Sequence, residues 1–230
     1  PTLLWLAQLG TLEFHVPHLR ASRFPDHPKA SMNFLDSEEN LDASILNYPD
    51  QLTFDIDPYI YSGNEADGDE PEFNVPAFEK GKEVAFYVKE VLDSLGLKSF
   101  IKTSGKTGLH IFAPIVRNLT FDEVRAVCET ISRTIFLAHP KDITIEWSTK
   151  NRTGKIFMDY TMNIRGKTLN SAFSPRALPG GVVSMPVTWE ELPGVHPHDF
   201  RMSNAADRMR KNGDPWKLIL ESKTDLGLSF

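Results

Sequence analysis

The run Phe54-Asp55-Ile56-Asp57-Pro58 sets two carboxylates two residues apart in an otherwise apolar stretch, Leu52–Asp57. Side chains at i and i+2 of a strand leave the same face, so a strand here points Asp55 and Asp57 together. Two like charges so placed repel each other and resist burial. A bound cation relieves both costs, and hard carboxylate oxygens with no cysteine nearby favour Mg2+ or Mn2+ over zinc. Pro58 cannot donate to a ladder and ends the strand. For these residues alone, a solvated acidic pair closing in an Asp-x-Asp-Pro turn is the plain alternative.

A third carboxylate weighs on that choice. In Lys155–Thr161, alternation puts Ile156, Met158 and Tyr160 on one face of a strand and Phe157 and Asp159 on the other. With Phe157 taken as core-facing, Asp159 needs a partner. Arg152 is near enough in sequence to serve. The other candidate is the first acidic pair, which Asp159 would complete into a three-carboxylate site of the kind that aligns attacking and departing oxygens in nucleotidyl transfer.

Between these strands lies Ser104-Gly105-Lys106-Thr107-Gly108-Leu109-His110. Its flanks, Ser99–Thr103 and Leu109–Pro114, are strand-like, which predicts a β-turn-β unit. Two glycines let backbone N–H groups converge, and Ser104, Lys106 and Thr107 add donors suited to phosphate oxygens. A P-loop is excluded, because its first glycine would fall at Phe100 and a helix would follow. The plain alternative is a hairpin with an exposed lysine. His110, alone on its strand, is by itself more readily structural than catalytic.

Elsewhere the pattern alternates between helix and strand. A short helix is expected around Trp5. Arg20–Asp50 is polar loop with about one helical turn, and Tyr59–Val75 is an acidic insertion rich in Gly, Asn, Asp and Glu. Glu79–Leu95 is a helix with Val84, Val88, Val91 and Leu95 on one stripe, stopped by Gly96. Thr120 and Glu123 form a capping box for a helix burying Val124, Val127, Ile131 and Ile135. Ile143–Trp147 and Lys155–Thr161 are expected to pair as a hairpin. Beyond Ser174 the chain is Pro-rich and is expected to wrap the surface before a short helix at Ser203–Lys211. The fold class that follows is mixed α/β (α+β), a central, largely antiparallel sheet flanked by helices.

Charge bears on partners. The 230 residues carry 25 Lys and Arg against 31 Asp and Glu, a net charge of −6. This is awkward for a nucleic-acid binder, whose phosphate contacts are made by cations. The acids concentrate at Asp36–Asp42 and Glu65–Glu72, however, while Lys150, Arg152, Lys155, Arg165 and Lys167 cluster around the third carboxylate. That cluster reads equally as a solvated strand edge or as a nucleic-acid contact through Lys150, Lys155 and Lys167. No apolar run reaches membrane-spanning length and no signal peptide is visible. The single cysteine, Cys128, excludes an intramolecular disulfide framework and is compatible with a reducing cytoplasm. It falls on a helix's apolar face, as core filler.

Taken in order, these motifs resemble those of the polymerase domain of bacterial and archaeal multifunctional DNA ligase D, in the archaeo-eukaryotic primase superfamily. Its Asp-x-Asp strand, Ser-Gly-x-x-Gly-x-His turn and hydrophobic-Asp strand stand here as Asp55/Asp57, Ser104-Gly105…Gly108…His110 and Asp159. Leu3–Ala7 through Leu12-Glu13-Phe14-His15, Ser174-Pro175-Arg176, Thr188–Leu192 and Gly213–Trp216 extend the similarity to nearly the whole chain. The resemblance implies one primase-polymerase-like catalytic domain over residues 1–230, without the N-terminal segment by which relatives help bind the template strand and its 5′-phosphate. It implies that Asp55, Asp57 and Asp159 bind two ions, Mn2+ or Mg2+. Ser104, Gly105, Lys106, Thr107, His110 and Arg176, with Arg152 and His15, would hold the incoming NTP or dNTP. A guanidinium such as Arg176 suits the charge on a triphosphate. Two departures stand within the motifs. Thr107 holds the place of the family's turn lysine, displacing the ammonium to Lys106, and Met162 stands where relatives carry a polar residue. The implied activity is gap filling at DNA double-strand breaks in non-homologous end joining, on broken or gapped DNA with 5′-phosphate ends. A DNA ligase domain and Ku would be partners, in the prokaryotic cytoplasm at the nucleoid, with no membrane. A non-catalytic DNA-end-binding module and a metal-dependent phosphohydrolase are the alternatives.

Overall fold

The structure, a computed structural model, describes residues 2–20, 44–59 and 74–227. The acidic runs at 36–42 and 65–72, with most of the expected loop and insertion around them, lie outside these residues. The described elements are α1 (Thr2–Gln8), β1 (His15–Pro17), β2 (Gln51–Asp57), α2 (Val75–Ser94), β3 (Phe100–Thr103), β4 (Leu109–Pro114), α3 (Phe121–Ala138), β5 (Ile143–Thr144), β6 (Ile156–Asp159), β7 (Thr168–Asn170), β8 (Pro186–Val187) and α4 (Met202–Asn212).

Six strands form one sheet in the order β5-β6-β2-β4-β3-β8, and β1 pairs with β7 in a separate ribbon. Period-two alternation gives the sheet two unlike faces. Leu52, Phe54 and Ile56 of β2, Ile101 of β3, Leu109, Ile111 and Ala113 of β4, and Ile156 and Met158 of β6 join the main core. Helices α2 and α3 pack against this face and each other. The opposite face carries Asp55, Asp57, Lys102, His110 and Asp159, as the strand registers require.

Local signals account for the helix ends. The Asn74 side chain accepts from Ala77 N at 2.7 Å and Pro76 occupies the first turn of α2. The helix therefore begins before Glu79, where the hydrophobic stripe alone predicts it. Val84, Ala85, Val88 and Leu92 are its buried stripe, while Leu95, beyond the last turn, is exposed. Gly96 at φ +70° ends it. The Thr120–Glu123 capping box of α3 forms as expected. Cys128 is fully buried there, and burial pushes its thiol well up.

Three expectations are corrected. β5 and β6 pair in parallel, through Ile143↔Ile156 and Thr144↔Phe157, and not as a hairpin. Residues 145–155, with a 3-10 turn at Thr149–Asn151, carry the chain back so that both strands run the same way. The Pro-rich tail does not merely wrap the surface: Val183, Met185 and Val187 are buried and β8 extends the sheet beyond β3. Pro186, which donates nothing to a ladder, is tolerated at that edge. Finally, the core side of β6 is that of Ile156 and Met158. Phe157 is covered on the opposite face by Trp147 and the Arg152 guanidinium. Among the described residues, no helix is long and apolar enough to cross a membrane.

Candidate active site

One row of side chains crosses four strands of the open face. Asp159 is register partner of Asp55, Asp55 of His110, and His110 of Lys102. Register partners on one face are close neighbours, so the row is electrostatically continuous. His110 Nε2 stands 3.3 Å from Asp55 Oδ1, and Lys102 Nζ stands 2.8 Å from His110 Nδ1. Asp55 is 14% exposed, and its buried Oδ1 has no aligned hydrogen-bond donor. Burial and the charges of Asp57 and Asp159 push its carboxyl well above the usual range, against the opposing pull of Lys102 and Arg176.

A cleft of about 200 Å³ opens beside this row, its walls including His15, Asp55, Asp57, Tyr59, Ser104, Lys106, Thr107, His110, Asn170 and Arg176. The sheet forms its floor, and the β1–β7 ribbon, which pairs His15 with Asn170, forms one wall. Among the described residues, no three His, Cys, Asp or Glu side chains are gathered closely enough to hold a metal ion as they stand. Asp159 is held within its own strand end: its Oδ1 accepts from Thr161 N at 2.7 Å and Thr161 Oγ1 at 2.6 Å. The orphaned Oδ1 of Asp55 and the all-oxygen donor set nevertheless suit a hard divalent cation.

The turn is braced rather than open. Ser104 Oγ accepts from Lys106 N at 3.1 Å and Gly108 N at 2.9 Å, so these two N–H groups are occupied within the turn. The Ser104 carbonyl accepts from Arg176 Nη1 at 2.6 Å and Asn170 Nδ2 at 3.0 Å, tying the turn to the wall of the cleft. Gly108 packs so closely on β2 that an added Cβ would lie 2.7 Å from the Ile56 carbonyl oxygen. The Lys106 ammonium lies 6.0 Å from the centroid of the Tyr59 ring.

Glu13 organises the entrance. Its Oε1 accepts from Ala177 N at 2.7 Å, and its Oε2 stands 3.1 Å from His15 Nε2 and 3.3 Å from Arg176 Nε. Partial burial works against ionisation, but these partners outweigh it and bring the carboxyl down to about 2. Arg152 borders the site without walling the cleft. It donates to the Glu146 carbonyl at 3.1 Å and the Trp147 carbonyl at 2.6 Å, and its guanidinium lies 3.4 Å from the Phe157 ring centroid. Lys150 and Lys167 are exposed and Lys155 half-buried around that segment, with Lys167 Nζ 5.7 Å from the ring of exposed Trp147.

Sequence reasoning missed Glu13, Tyr59, Lys102, Asn170 and Ser184 as parts of this site. Two of them left a signal: Glu13, within the Leu12-Glu13-Phe14-His15 segment, and Lys102, a lysine inside an apolar strand facing a histidine across the hairpin. His18 belongs to the packing. It is 2% exposed, with Nδ1 3.2 Å from Thr53 Oγ1, and burial with the nearby Lys102 charge lowers it to about 4. The unfolded chain therefore takes up this proton first as pH falls. Stability is expected to drop between pH 6.5 and 4, by up to about 3 kcal/mol. In His18→Leu, unfolding measured across that window should lose this component of the slope; an unchanged slope refutes the assignment.

Carboxylates on adjacent antiparallel strands thus face a glycine-bearing turn and two cations across a small cleft. The profile of the family described as "LigD, primase-polymerase domain" matches residues 1–216, and the chain belongs to that family. It is 29% identical over 217 residues to the "Multifunctional non-homologous end joining protein LigD" of Pseudomonas aeruginosa, covering 93% of this chain and 22% of that protein. It is 28% identical over 232 residues to the "Bifunctional non-homologous end joining protein LigD" of Bacillus subtilis, covering 99% and 32%. The chain thus spans about a third or less of these curated relatives. The solved "Polymerase Domain from Mycobacterium tuberculosis Ligase D in complex with DNA" is similar at a TM-score of 0.73 and 26% identity, over 96% of this chain and 68% of that one.

Proposed function

We propose that this domain carries out template-directed nucleotidyl transfer at gaps and breaks in DNA, during non-homologous end joining. A primer 3′-hydroxyl attacks the α-phosphate of a bound NTP or dNTP and pyrophosphate departs. The observation that carries this reading is the row Asp159–Asp55–His110, with the buried, unsatisfied Oδ1 of Asp55 at the edge of a cleft of about 200 Å³ walled by Ser104, Lys106 and Arg176. Two divalent cations, Mn2+ or Mg2+, held by Asp55, Asp57 and Asp159, would lower the pKa of the attacking hydroxyl and stabilise the leaving group.

The chain's own side chains do the rest. His110 and Ser104 orient the triphosphate, and Arg176 and Lys106 neutralise the charge that grows as pyrophosphate leaves. His15 and Tyr59 line the nucleotide's approach. Lys150, Lys155 and Lys167, the last beside the exposed Trp147 ring, suit a nucleic-acid backbone with an unstacked base near that ring. A ligase domain and Ku are the partners this reading implies.

Gap filling on a 5′-phosphorylated, gapped duplex with Mn2+ tests it. The expected products are an extended primer and one pyrophosphate per nucleotide added. Liberated orthophosphate without extension would instead mark a phosphohydrolase, and tight DNA binding without turnover a docking module.

A further inference from the structure

Lys102 is among the largest fully buried side chains, at 1% exposure, and the reaction described above makes no use of it. Burying an amine is costly where an apolar chain of similar length would fill the space. Its partners are specific. Nζ donates to Ser184 Oγ at 2.7 Å and lies 2.8 Å from His110 Nδ1, while Ser184 Oγ donates onward to the Thr103 carbonyl at 2.8 Å. The hairpin register sets Lys102 directly beside His110, and His110 directly beside Asp55.

A lysine ammonium has no lone pair and can only donate, so beside charged Lys102 the His110 Nδ1 accepts. The proton of a neutral imidazole then sits on Nε2. That nitrogen faces Asp55 and belongs to a residue walling the cleft.

We propose that Lys102 is a positioning residue: by holding His110 Nδ1 it locks the ring's orientation and tautomer, presenting Nε2–H as the donor to the nucleotide's triphosphate. This rests on the nucleotidyl-transfer reading.

The test compares Lys102→Met, which keeps the bulk and loses the donor, with Lys102→Gln, which retains an N–H donor. His110 tautomer is read from long-range 1H–15N spectra, and KM for the nucleotide is separated from kcat in primer extension. Lys102→Met is expected to mix the tautomers and raise KM roughly tenfold or more, with unchanged affinity for gapped DNA. Lys102→Gln should recover the Nε2–H tautomer and most of the KM. A Lys102→Met protein with the parent's tautomer and KM overturns the proposal, as does a Lys102→Gln protein no better than Lys102→Met. Should Lys102→Met fail to fold, Ser184→Ala, which frees the amine from one side, should shift KM in the same direction; no shift refutes the proposal. The two readings fail separately. An inactive parent removes the polymerase reading, and the spectra of parent and variant still decide the positioning role.

Discussion

Asp55→Asn is expected to lower primer extension by about three orders of magnitude while leaving the fold as stable as the parent, or more so. The loss follows from charge. Asp55 stands between Asp159 and His110 in the cross-strand row, two residues from Asp57 on the same face, so it is the carboxylate any cation there must share. An amide keeps the shape and removes the anion. The gain follows from the same place. Asp55 Oδ1 is buried without an aligned donor and two carboxylates neighbour it, which makes the ionised form costly in the absence of metal. Relieving an uncompensated buried charge is worth about 1–3 kcal/mol. Thermal unfolding with chelator should therefore show the variant at or above the parent. Added Mn2+ should stabilise the parent and leave Asp55→Asn unmoved. Equal Mn2+ stabilisation of both proteins would remove Asp55 from the metal site, whatever the activity does.

Gly105→Ala is expected to cost roughly 3 kcal/mol or more and to disable nucleotide binding with it. Gly105 sits at φ +73°, where an alanine is strained. A Cβ there would also meet Arg176 Cγ at 2.8 Å, Ser184 N at 2.9 Å and the Val183 carbonyl carbon at 3.0 Å. The last two are backbone leading into β8 and cannot swing aside as a side-chain end could. Yielding on that side breaks the braces themselves, since Arg176 bonds the Ser104 carbonyl and Ser184 holds Lys102. Gly10→Ala is the control: φ is +75° there, but no atom lies within 4 Å of the added carbon. It should pay only the backbone cost of about 1 kcal/mol. Urea unfolding of the two variants separates conformational strain from close approach; equal costs would mean the turn is not pinned by the β8 segment.

What could be read from the chain alone was whatever nearest neighbours enforce. The Thr120–Glu123 box, the Gly-bearing turn and the alternation of β2 and β4 are local matters of capping, positive φ and period two. The same alternation was mute on β6, because Ile156, Phe157 and Met158 are all apolar and either face looks like core. Only pairing with β2 selects the side, through Ile56↔Met158 and Asp55↔Asp159. The direction of β5 was similarly hidden, since two residues of ladder carry no signal of their own.

The sequence by itself determined which carboxylates, glycines and cations were present at strand ends and turns, and with them the chemistry on offer. Tertiary structure decided which of them meet. Asp159 lies beside Asp55 by register, Asn170 reaches the turn from the β1–β7 ribbon, Glu13 meets Arg176 across the chain, and Lys102 lies against His110 because a hairpin and the β8 segment enclose it. Those contacts join residues tens to more than a hundred positions apart, or turn on the register of a hairpin. Burial of the shared apolar face chooses among such alternatives, and local propensity cannot.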